Sequence, residues 1–374
     1  MSRDTRPPRV LIVSADIGEG HDAPARVLAA GIREERPDAV VEVIDGLDAM
    51  GPLMARVIRD GTEIVFGRFA FLYDLEYWLI VHFPPARWLA GTLMYLVGGR
   101  GMLRAIRQFR PDIVVSTYPG TTDVIGRFRL DGFLHVPACS AITDLAALRY
   151  WAHEGVDLHL ITHPESTDEV RGIAPLSRIE WVRGLTSPGC LDPFDKRAAR
   201  RSFDLPEEGP VVLVSGGGWA VGDLIGSAEV ALRVDGATVV CMCGRNERVR
   251  AAIDERFDGE PRARSIGFTD RMCDLLAAGD VLIHSTAGLT VLEALMRGTS
   301  PISYGWGMAH IRINNRAFAE HGLADVAGTP DELEAAIRGA LANPREPYLE
   351  PADRPTAASV VLDAAAPPDS GALS

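Results

Sequence analysis

The stretch 281–298, VLIHSTAGLTVLEALMRG, constrains the fold more than any other part of the chain. A short apolar run, Val281–Ile283, predicts a buried parallel strand, and an apolar-periodic helix follows the small turn residues from Leu289 to Arg297. A helix that begins directly after a strand places unpaired backbone N–H groups and a positive dipole end at one point. The stretch therefore predicts a phosphate site at the start of this helix, with Glu293 one turn further on, where it could face a ribose.

The same order of strand, turn and helix recurs along the chain. The strands are predicted at Arg9–Ser14, Val40–Ile44, Asp112–Ser116, His135–Ile142, Leu158–Thr162, Val211–Ser215, Val239–Cys243, Arg264–Phe268 and Pro301–Tyr304. Alternating strands and helices predict an α/β fold with parallel sheets. A turn-rich joint near 184–200 divides the chain into an N-terminal domain, 1–184, and a C-terminal domain, 185–343. The remaining residues, 344–374, are rich in Pro, Ala, Asp and Ser, and we expect them to be disordered or loosely packed.

The composition excludes several classes of protein. A net charge of −13 argues against binding to nucleic acid, which needs a basic face. The start of the chain lacks the apolar core of a signal peptide, and no run of about 18 apolar residues predicts a membrane span. The five cysteines lie in or beside apolar runs without a CxxC pair. We therefore expect reduced core cysteines, no zinc site and a cytoplasmic protein.

A histidine follows the first predicted strand. After Arg9–Ser14 the chain turns through Gly18 and Gly20 and reaches His21 at the start of a helical pattern. Glycines let such a loop turn tightly and let a substrate approach the backbone. Open α/β sheets bind ligands at the carboxyl ends of their strands, so His21 is a candidate site residue; a helix-capping or surface histidine is the alternative. Asp144, at the end of the fourth predicted strand, is a second catalytic candidate.

Residues 77–111 contain no acidic residue, although the chain as a whole is strongly acidic. The window combines five arginines with aromatic residues, among them Trp78 and Trp88. Arginines and aromatics without acids suit the interface of an anionic membrane. A pair of core-packed helices with solvent-facing arginines explains the same pattern, and the sequence leaves both interpretations open.

Several motifs together resemble one known family. They are Ser14-Ala15-x-x-Gly18-x-Gly20-His21, Ser215-Gly216-Gly217-Gly218 with Gly222, Cys243-Gly244-Arg245-Asn246, Gly267-Phe268-Thr269-Asp270-Arg271-Met272, and Gly288-Leu289-Thr290-x-x-Glu293-Ala294. Their order over residues 9–342 is similar to that of the diacylglycerol glycosyltransferases, the family of plant monogalactosyldiacylglycerol synthase and bacterial processive glucosyltransferases. The layout is shared more distantly by the peptidoglycan GlcNAc transferase.

The resemblance implies a GT-B fold, in which two Rossmann-like domains face each other across a cleft. It also implies an inverting transfer of a hexose from a UDP-sugar to the hydroxyl of a diacylglycerol-like lipid, without metal or cofactor, by a peripheral protein on the inner face of the membrane. A soluble glycosyltransferase with a small acceptor and a UDP-sugar 2-epimerase are the alternatives.

The resemblance assigns roles to individual residues. His21 would lie beside the acceptor and act as the general base or help to place it, and Gly18, Gly20, Trp78 and Trp88 would lie on the acceptor side. The donor would bind Gly216, Gly217, Gly218, Arg245, Phe268, Met272, Ala287, Gly288, Leu289, Thr290, Glu293, His310 and Asn314. Two departures affect donor choice: the family's Lys-Pro-Gly is replaced by Ser285-Thr286-Ala287, and its Gln-Glu by His310-Ile311.

Overall fold

The computed structural model describes residues 6–17, 19–58, 78–79, 82–286, 288–305, 309–348 and 354–366. The chain divides into two compact units, Met1–Leu185 with Asp353–Ser374, and Thr186–Ala352. The division falls one residue from the predicted domain boundary, but the last segment of the chain belongs to the first unit.

The first unit is built on a six-stranded parallel sheet. Its elements are β1 (Arg9–Ser14), α1 (Glu19–Glu35), β2 (Val40–Asp45), α2 (Gly46–Met50), α3 (Pro84–Phe109), β3 (Ile113–Ser116), α4 (Pro119–Leu130), β4 (Ala138–Ile142), β5 (Leu158–Ile161), α5 (Thr167–Ile173) and β6 (Arg178–Trp181). The strand order is β2-β1-β3-β4-β5-β6. Strands β1, β3, β4 and β5 are almost wholly buried, as their continuous apolar runs predict for strands covered on both faces.

The second unit repeats this plan with another six-stranded parallel sheet. Its elements are α6 (Lys196–Ser202), β7 (Val211–Ser215), α7 (Leu224–Ala231), β8 (Thr238–Met242), α8 (Glu247–Arg256), β9 (Ala263–Ile266), α9 (Met272–Ala278), β10 (Val281–His284), α10 (Leu289–Met296), β11 (Ser300–Tyr304), α11 (Ala309–Glu320), β12 (Asp325–Ala327) and α12 (Pro330–Ala342). The strand order is β12-β11-β10-β7-β8-β9. The predicted α/β architecture is therefore confirmed. The edge strands β6 and β12 escaped sequence analysis because they are short and only partly buried.

The prediction for the end of the chain was wrong for part of its length. A further helix, α13 (Ala357–Ala365), begins at Thr356, whose side chain caps it. Its apolar residues, including Val360 and Val361, are buried against the core of the first unit together with Leu28 and Ile32 of α1. The alanines that suggested low complexity instead allow close helix packing: a Cβ added to Gly31 would lie 3.4 Å from that of Ala358.

Helix α3 lies within the acid-free window and has two dissimilar halves. Its second half buries a stripe that includes Gly98, Met102 and Ile106. The glycine is needed for this contact, because a Cβ at Gly98 would lie 2.7 Å from the side chain of Met50. Its first half is largely exposed, with Trp88 at 63% of its surface accessible. Among the helices of the described residues, none is both long and apolar enough to cross a bilayer.

The cysteines are not all reduced, contrary to the prediction. Cys190 and Cys273 are joined as a disulfide with their Cα atoms 5.0 Å apart, whereas Cys139, Cys241 and Cys243 are buried free thiols. The bonded cysteines are separated by 83 residues, and only the tertiary fold brings them together. They pack with Leu292 and Met296 of α10 in a small apolar cluster.

Candidate functional site

Each sheet has one position where the chain reverses the direction in which it adds strands. In the first sheet this switch point lies between β1 and β3, and in the second it lies between β7 and β10. The loops that leave two such neighbouring strands turn away from each other and open a crevice at the carboxyl ends of the strands, where ligands bind. His21 follows β1, and the glycine turn and the 281–298 stretch follow β7 and β10. The predicted key residues therefore lie at the two switch points.

At the first switch point, His21 connects the loop after β1 with the end of β3. Its Nδ1 lies 3.1 Å from the carbonyl oxygen of Thr117. Because a carbonyl can only accept, this contact places the proton on Nδ1 and leaves the lone pair on Nε2. The imidazole also packs edge-on against Tyr118, with the ring centroids 5.1 Å apart. Burial lowers the pKa of His21 to about 4, against the effect of the Thr117 carbonyl, so the ring is a neutral acceptor at neutral pH.

Asp144 is linked to His21 through an intervening ring. Its Oδ2 accepts a hydrogen bond of 3.0 Å from Nε1 of Trp151. The Trp151 ring centroid lies 5.5 Å from that of His21, and only 3% of Trp151 is exposed. This geometry lets Asp144 fix the orientation of Trp151 and thereby shape the His21 pocket.

Asp22 is a carboxylate at this switch point that sequence analysis missed. It accepts a hydrogen bond from the hydroxyl of Ser14, the last residue of β1. Burial raises the pKa of Asp22, and the Ser14 bond acts in the opposite direction. Its position directly after His21 was the only available signal, because a strand-terminal serine eight residues earlier is too common to identify a partner.

Within the described part of the chain, no hydrogen bond or ring contact joins the predicted acceptor residues to one another. Gly20 lies in the first turn of α1 with open space where a Cβ would be, so substrate can approach the backbone there. Trp78 is 53% exposed and stacks on His82 with their centroids 5.4 Å apart, while Trp88 lies on the exposed half of α3. Gly18 lies outside the described residues.

At the second switch point, the glycine turn presents main-chain atoms. Gly217 and Gly222 adopt φ of +68° and +102°, a left-handed region that suits glycine. The turn is held by hydrogen bonds from the N–H of Val221 to the carbonyl of Gly216, 2.8 Å, and from the N–H of Gly217 to Ser215 Oγ, 3.2 Å. Gly218 completes the turn, and its carbonyl accepts from the N–H of Arg245 at 2.9 Å.

The next loops frame the glycine turn. Gly244 lies so close that an added Cβ would be 2.4 Å from the Gly218 carbonyl oxygen. The guanidinium of Arg245 lies over the ring of Phe268, 3.7 Å from its centroid, and this ring is half exposed. Met272 is the first residue of α9. A half-exposed aromatic ring beside a cation offers a flat surface on which a nucleobase can stack.

The turn between β10 and α10 is tied to the glycine turn. Ser285 Oγ donates to the carbonyl of Val221, and a Cβ added to Gly217 would lie 3.1 Å from the methyl group of Thr286. Gly288 precedes the helix with a φ of +85°, and Leu289 and Thr290 form its first turn. Ala287 lies outside the described residues. The loops that follow β7 and β10 are thus held together, and the second of them leads into the N-terminus of α10.

Glu293 is buried and is held by a serine that sequence analysis did not single out. Its Oε1 accepts hydrogen bonds of 3.0 Å from both the N–H and the hydroxyl of Ser187. Burial raises the pKa of Glu293, and these two bonds lower it. Cys190 and Cys273 lie beside it, with potential ligand atoms of the three residues all within 4.8 Å. Their sulfurs are joined to each other and offer no thiolate to a metal ion.

The last predicted donor residues lie on α11. Asn314 is fully buried there, and His310 belongs to the first turn of the same helix. The side chain of His310 lies outside the described residues, so its predicted contact with the donor sugar stays a prediction.

Comparison with solved structures agrees with the fold. The overall fold is similar to that of the crystal structure of Acinetobacter baumannii MurG, with a TM-score of 0.56 over 96% of this chain and 99% of that one at 15% identity. Together with the two parallel sheets, this similarity defines the fold as GT-B.

The sequence comparisons agree with the resemblance to a known family. The model of monogalactosyldiacylglycerol (MGDG) synthase matches residues 21–180. A processive diacylglycerol beta-glucosyltransferase of Staphylococcus saprophyticus is 23% identical over 338 residues, 89% of this chain and 84% of that protein. Monogalactosyldiacylglycerol synthase 1 of Arabidopsis thaliana is 25% identical over 351 residues, 89% of this chain and 64% of that protein. These matches confirm the resemblance found in the motifs: the chain is similar to the diacylglycerol glycosyltransferases and the monogalactosyldiacylglycerol synthases.

Proposed function

We propose that this protein transfers a hexose from a UDP-sugar to the hydroxyl of a diacylglycerol-like lipid, with inversion at the anomeric carbon. The observation that carries the proposal is that both switch points hold the required groups, a neutral histidine in one unit and a glycine turn with a helix N-terminus in the other. The relatives named as diacylglycerol glucosyltransferase and monogalactosyldiacylglycerol synthase support this choice of donor and acceptor.

The chemistry needs a base and a site for negative charge. The acceptor hydroxyl loses its proton as its oxygen attacks the anomeric carbon, and Nε2 of His21 carries the lone pair that takes this proton. The bond from the anomeric carbon to the diphosphate breaks at the same time, and negative charge develops on the leaving UDP. Main-chain N–H groups of the glycine turn and the start of α10 stabilise that charge without requiring a metal ion.

The nucleoside would bind along the same loops. Phe268, stacked with Arg245, offers a surface for the uracil. Glu293 uses Oε1 for Ser187 and would use its second oxygen for a ribose hydroxyl. This chain departs from the family pattern at Ser285-Thr286-Ala287 and at His310. We therefore expect these residues to influence which hexose it transfers.

Helix α3 supports a membrane-bound acceptor. Leu89, Leu93 and Leu96 are 62%, 60% and 68% exposed and follow one another at helical spacing along one face. The stripe continues along the same face with the exposed residues Arg100, Arg104 and Arg107, and the helix contains no acidic residue. An apolar stretch followed by cations suits insertion beneath anionic headgroups, and we propose that α3 holds the protein at the inner surface of the membrane.

The direct test of the reaction is mass spectrometry of products from a panel of UDP-sugars offered with diacylglycerol. A hexosyl-diacylglycerol is the expected product. Release of a free 2-epimer would assign the protein to the epimerases, and glycosides of small molecules alone would assign a soluble acceptor. Either result would overturn the lipid proposal.

The membrane proposal is tested separately by sedimentation with vesicles of phosphatidylcholine alone or mixed with phosphatidylglycerol. Serine at 89, 93 and 96 together should abolish binding to both, because the apolar stripe is lost. Leu176, which is 98% exposed elsewhere in the same unit, provides the control, since Leu176→Ser should bind normally. Unchanged binding of the triple variant would contradict the role of α3.

A further inference from the structure

His284, the last residue of β10, is a buried histidine with one used and one unused nitrogen. It is 1% exposed, and its Nδ1 lies 2.7 Å from the carbonyl oxygen of Thr286. The carbonyl can only accept, so Nδ1 carries the proton and Nε2 the lone pair. Nε2 has no hydrogen-bond partner among the residues that the structure describes. Burial lowers the pKa of His284 to about 4, against the effect of the Thr286 carbonyl, so the ring is neutral.

Packing alone does not account for an imidazole at this position. A buried acceptor without a partner costs free energy, whereas an apolar side chain at the end of a buried strand would not. The three preceding residues of β10 are apolar and wholly buried. The feature that distinguishes His284 from an apolar replacement is therefore its N–H, which reaches two residues ahead and closes the turn into α10.

This hydrogen bond fixes the part of the turn that adjoins the glycine turn. The Thr286 carbonyl is held toward His284, while the Thr286 methyl group lies beside Gly217 and Ser285 is bonded to Val221. The hydrogen bond from His284 therefore fixes the start of the turn where it adjoins the glycine turn.

We propose that His284 is a positioning residue for the donor: its Nδ1–H holds the Thr286 carbonyl and so keeps the turn in place against the glycine turn, where the diphosphate of a nucleoside diphosphate would bind. The inference rests on the proposed function and adds to it a residue that touches no substrate. It also gives the altered Ser285-Thr286-Ala287 segment a physical basis, because side-chain bonds within the protein fix a turn that has lost the family's lysine and proline.

The test compares UDP, UMP and uridine binding by calorimetry in the full-length protein and its variants. His284→Leu removes the N–H and should lower the affinity for UDP about five- to tenfold, the effect of one hydrogen bond, while leaving uridine binding unchanged. His284→Asn places an amide N–H near the position of Nδ1 and should restore most of the affinity. His159→Leu is the matched control, because His159 is also a buried histidine, fully shielded in the other unit, and its loss should not change UDP binding.

Two results would overturn the proposal. Equal losses of UDP and uridine affinity would indicate a general structural role, and unchanged UDP affinity in His284→Leu would exclude any role. If the leucine variant does not fold, His284→Gln replaces it in the test, because its amide lies near the position of Nε2 rather than Nδ1. This variant should bind UDP weakly. UDP binding stronger than that of His284→Asn would contradict the proposal. A wild-type protein that binds no UDP at all would refute the proposed function itself, which is a different outcome.

Discussion

The first unit presents side chains at its switch point, whereas the second presents mainly backbone. His21 and Asp22 follow β1, and the ring of His21 is packed between Tyr118 and Trp151. After β7 and β10 the corresponding positions are glycines with positive φ and small residues that tie two loops together. The same parallel-sheet plan thus yields a titratable pocket in one unit and an array of main-chain groups in the other. A proton acceptor must be a side chain, but a diphosphate is best bound by N–H groups and a helix N-terminus.

The largest effect should come from His21. His21→Ala removes the proposed base and should lower kcat about 10²- to 10⁴-fold, the usual contribution of general base catalysis. UDP affinity should not change, because the groups proposed to bind the donor lie in the other unit. His135→Ala, which removes an exposed histidine of the same unit, should retain activity. Loss of UDP binding in His21→Ala would contradict the proposal that the first unit supplies the base and the second binds the donor.

The next effect should come from the glycine turn. Gly217→Ala forces a side chain into a left-handed conformation and against Thr286, and should weaken UDP binding about tenfold. Gly236→Ala is the matched control, since Gly236 has a φ of +72° but open space around it. Both variants should lose similar thermal stability, and only Gly217→Ala should lose UDP affinity. Equal UDP affinities would show that the turn does not bind the donor.

Glu293 is the exception in the second unit, because it is predicted to act through a side chain. In Glu293→Gln the side chain can still accept hydrogen bonds from Ser187, but an N–H donor replaces one carboxylate oxygen. The substitution should lower the affinity for UDP by up to about tenfold. The preference for UDP over 2′-deoxy-UDP should disappear in this variant if the lost oxygen holds the ribose. Ser187→Ala should keep that preference. An unchanged preference in Glu293→Gln would leave Glu293 with a structural role only.

The smallest effect is expected from pH between 5 and 8. His21 has its folded-state pKa lowered to about 4, so its neutral, proton-accepting form persists over this range and is lost as the pH falls through about 4. The part of kcat that depends on His21 should therefore be flat above pH 5 and fall below it. A pH-rate profile of wild type should show this shape. The contrary result would be a wild-type rate that falls on the acid side with a midpoint near pH 6.5, while the residual rate of His21→Ala does not. That result would mean that bound substrate reduces the desolvation of the imidazole.

Membership of a parallel sheet and the positions of strand ends could be predicted from the sequence. Strands buried on both faces are continuous apolar runs, and the polar or glycine residues that end them are local features. His21, Gly216–Gly218 and Glu293 were found in this way, with the family motifs adding roles to them. Their significance depends on strand order, which no local pattern specifies, because it is set by how distant helices and strands pack.

The partners of these residues were not predictable for the same reason. Ser187 lies 106 residues from Glu293, and Thr117 lies 96 residues from His21, yet each donates or accepts a hydrogen bond that fixes the site residue. The disulfide of Cys190 and Cys273 and the packing of α13 on the first unit are equally non-local. For α13 the composition led to the wrong expectation, because a tightly packed helix and a disordered tail can both be rich in alanine.

The sequence by itself thus determined the α/β class, the turns that carry the chemistry and the residue types available there. Periodicity, glycine and charge are encoded within a few neighbouring residues, and so these features can be recognised without a fold. Tertiary structure alone decided which strand ends meet, which carbonyl holds His21 and His284, and how far burial shifts their pKa values. These properties arise from desolvation and contacts between residues far apart in the chain, and they exist only once the two sheets have formed.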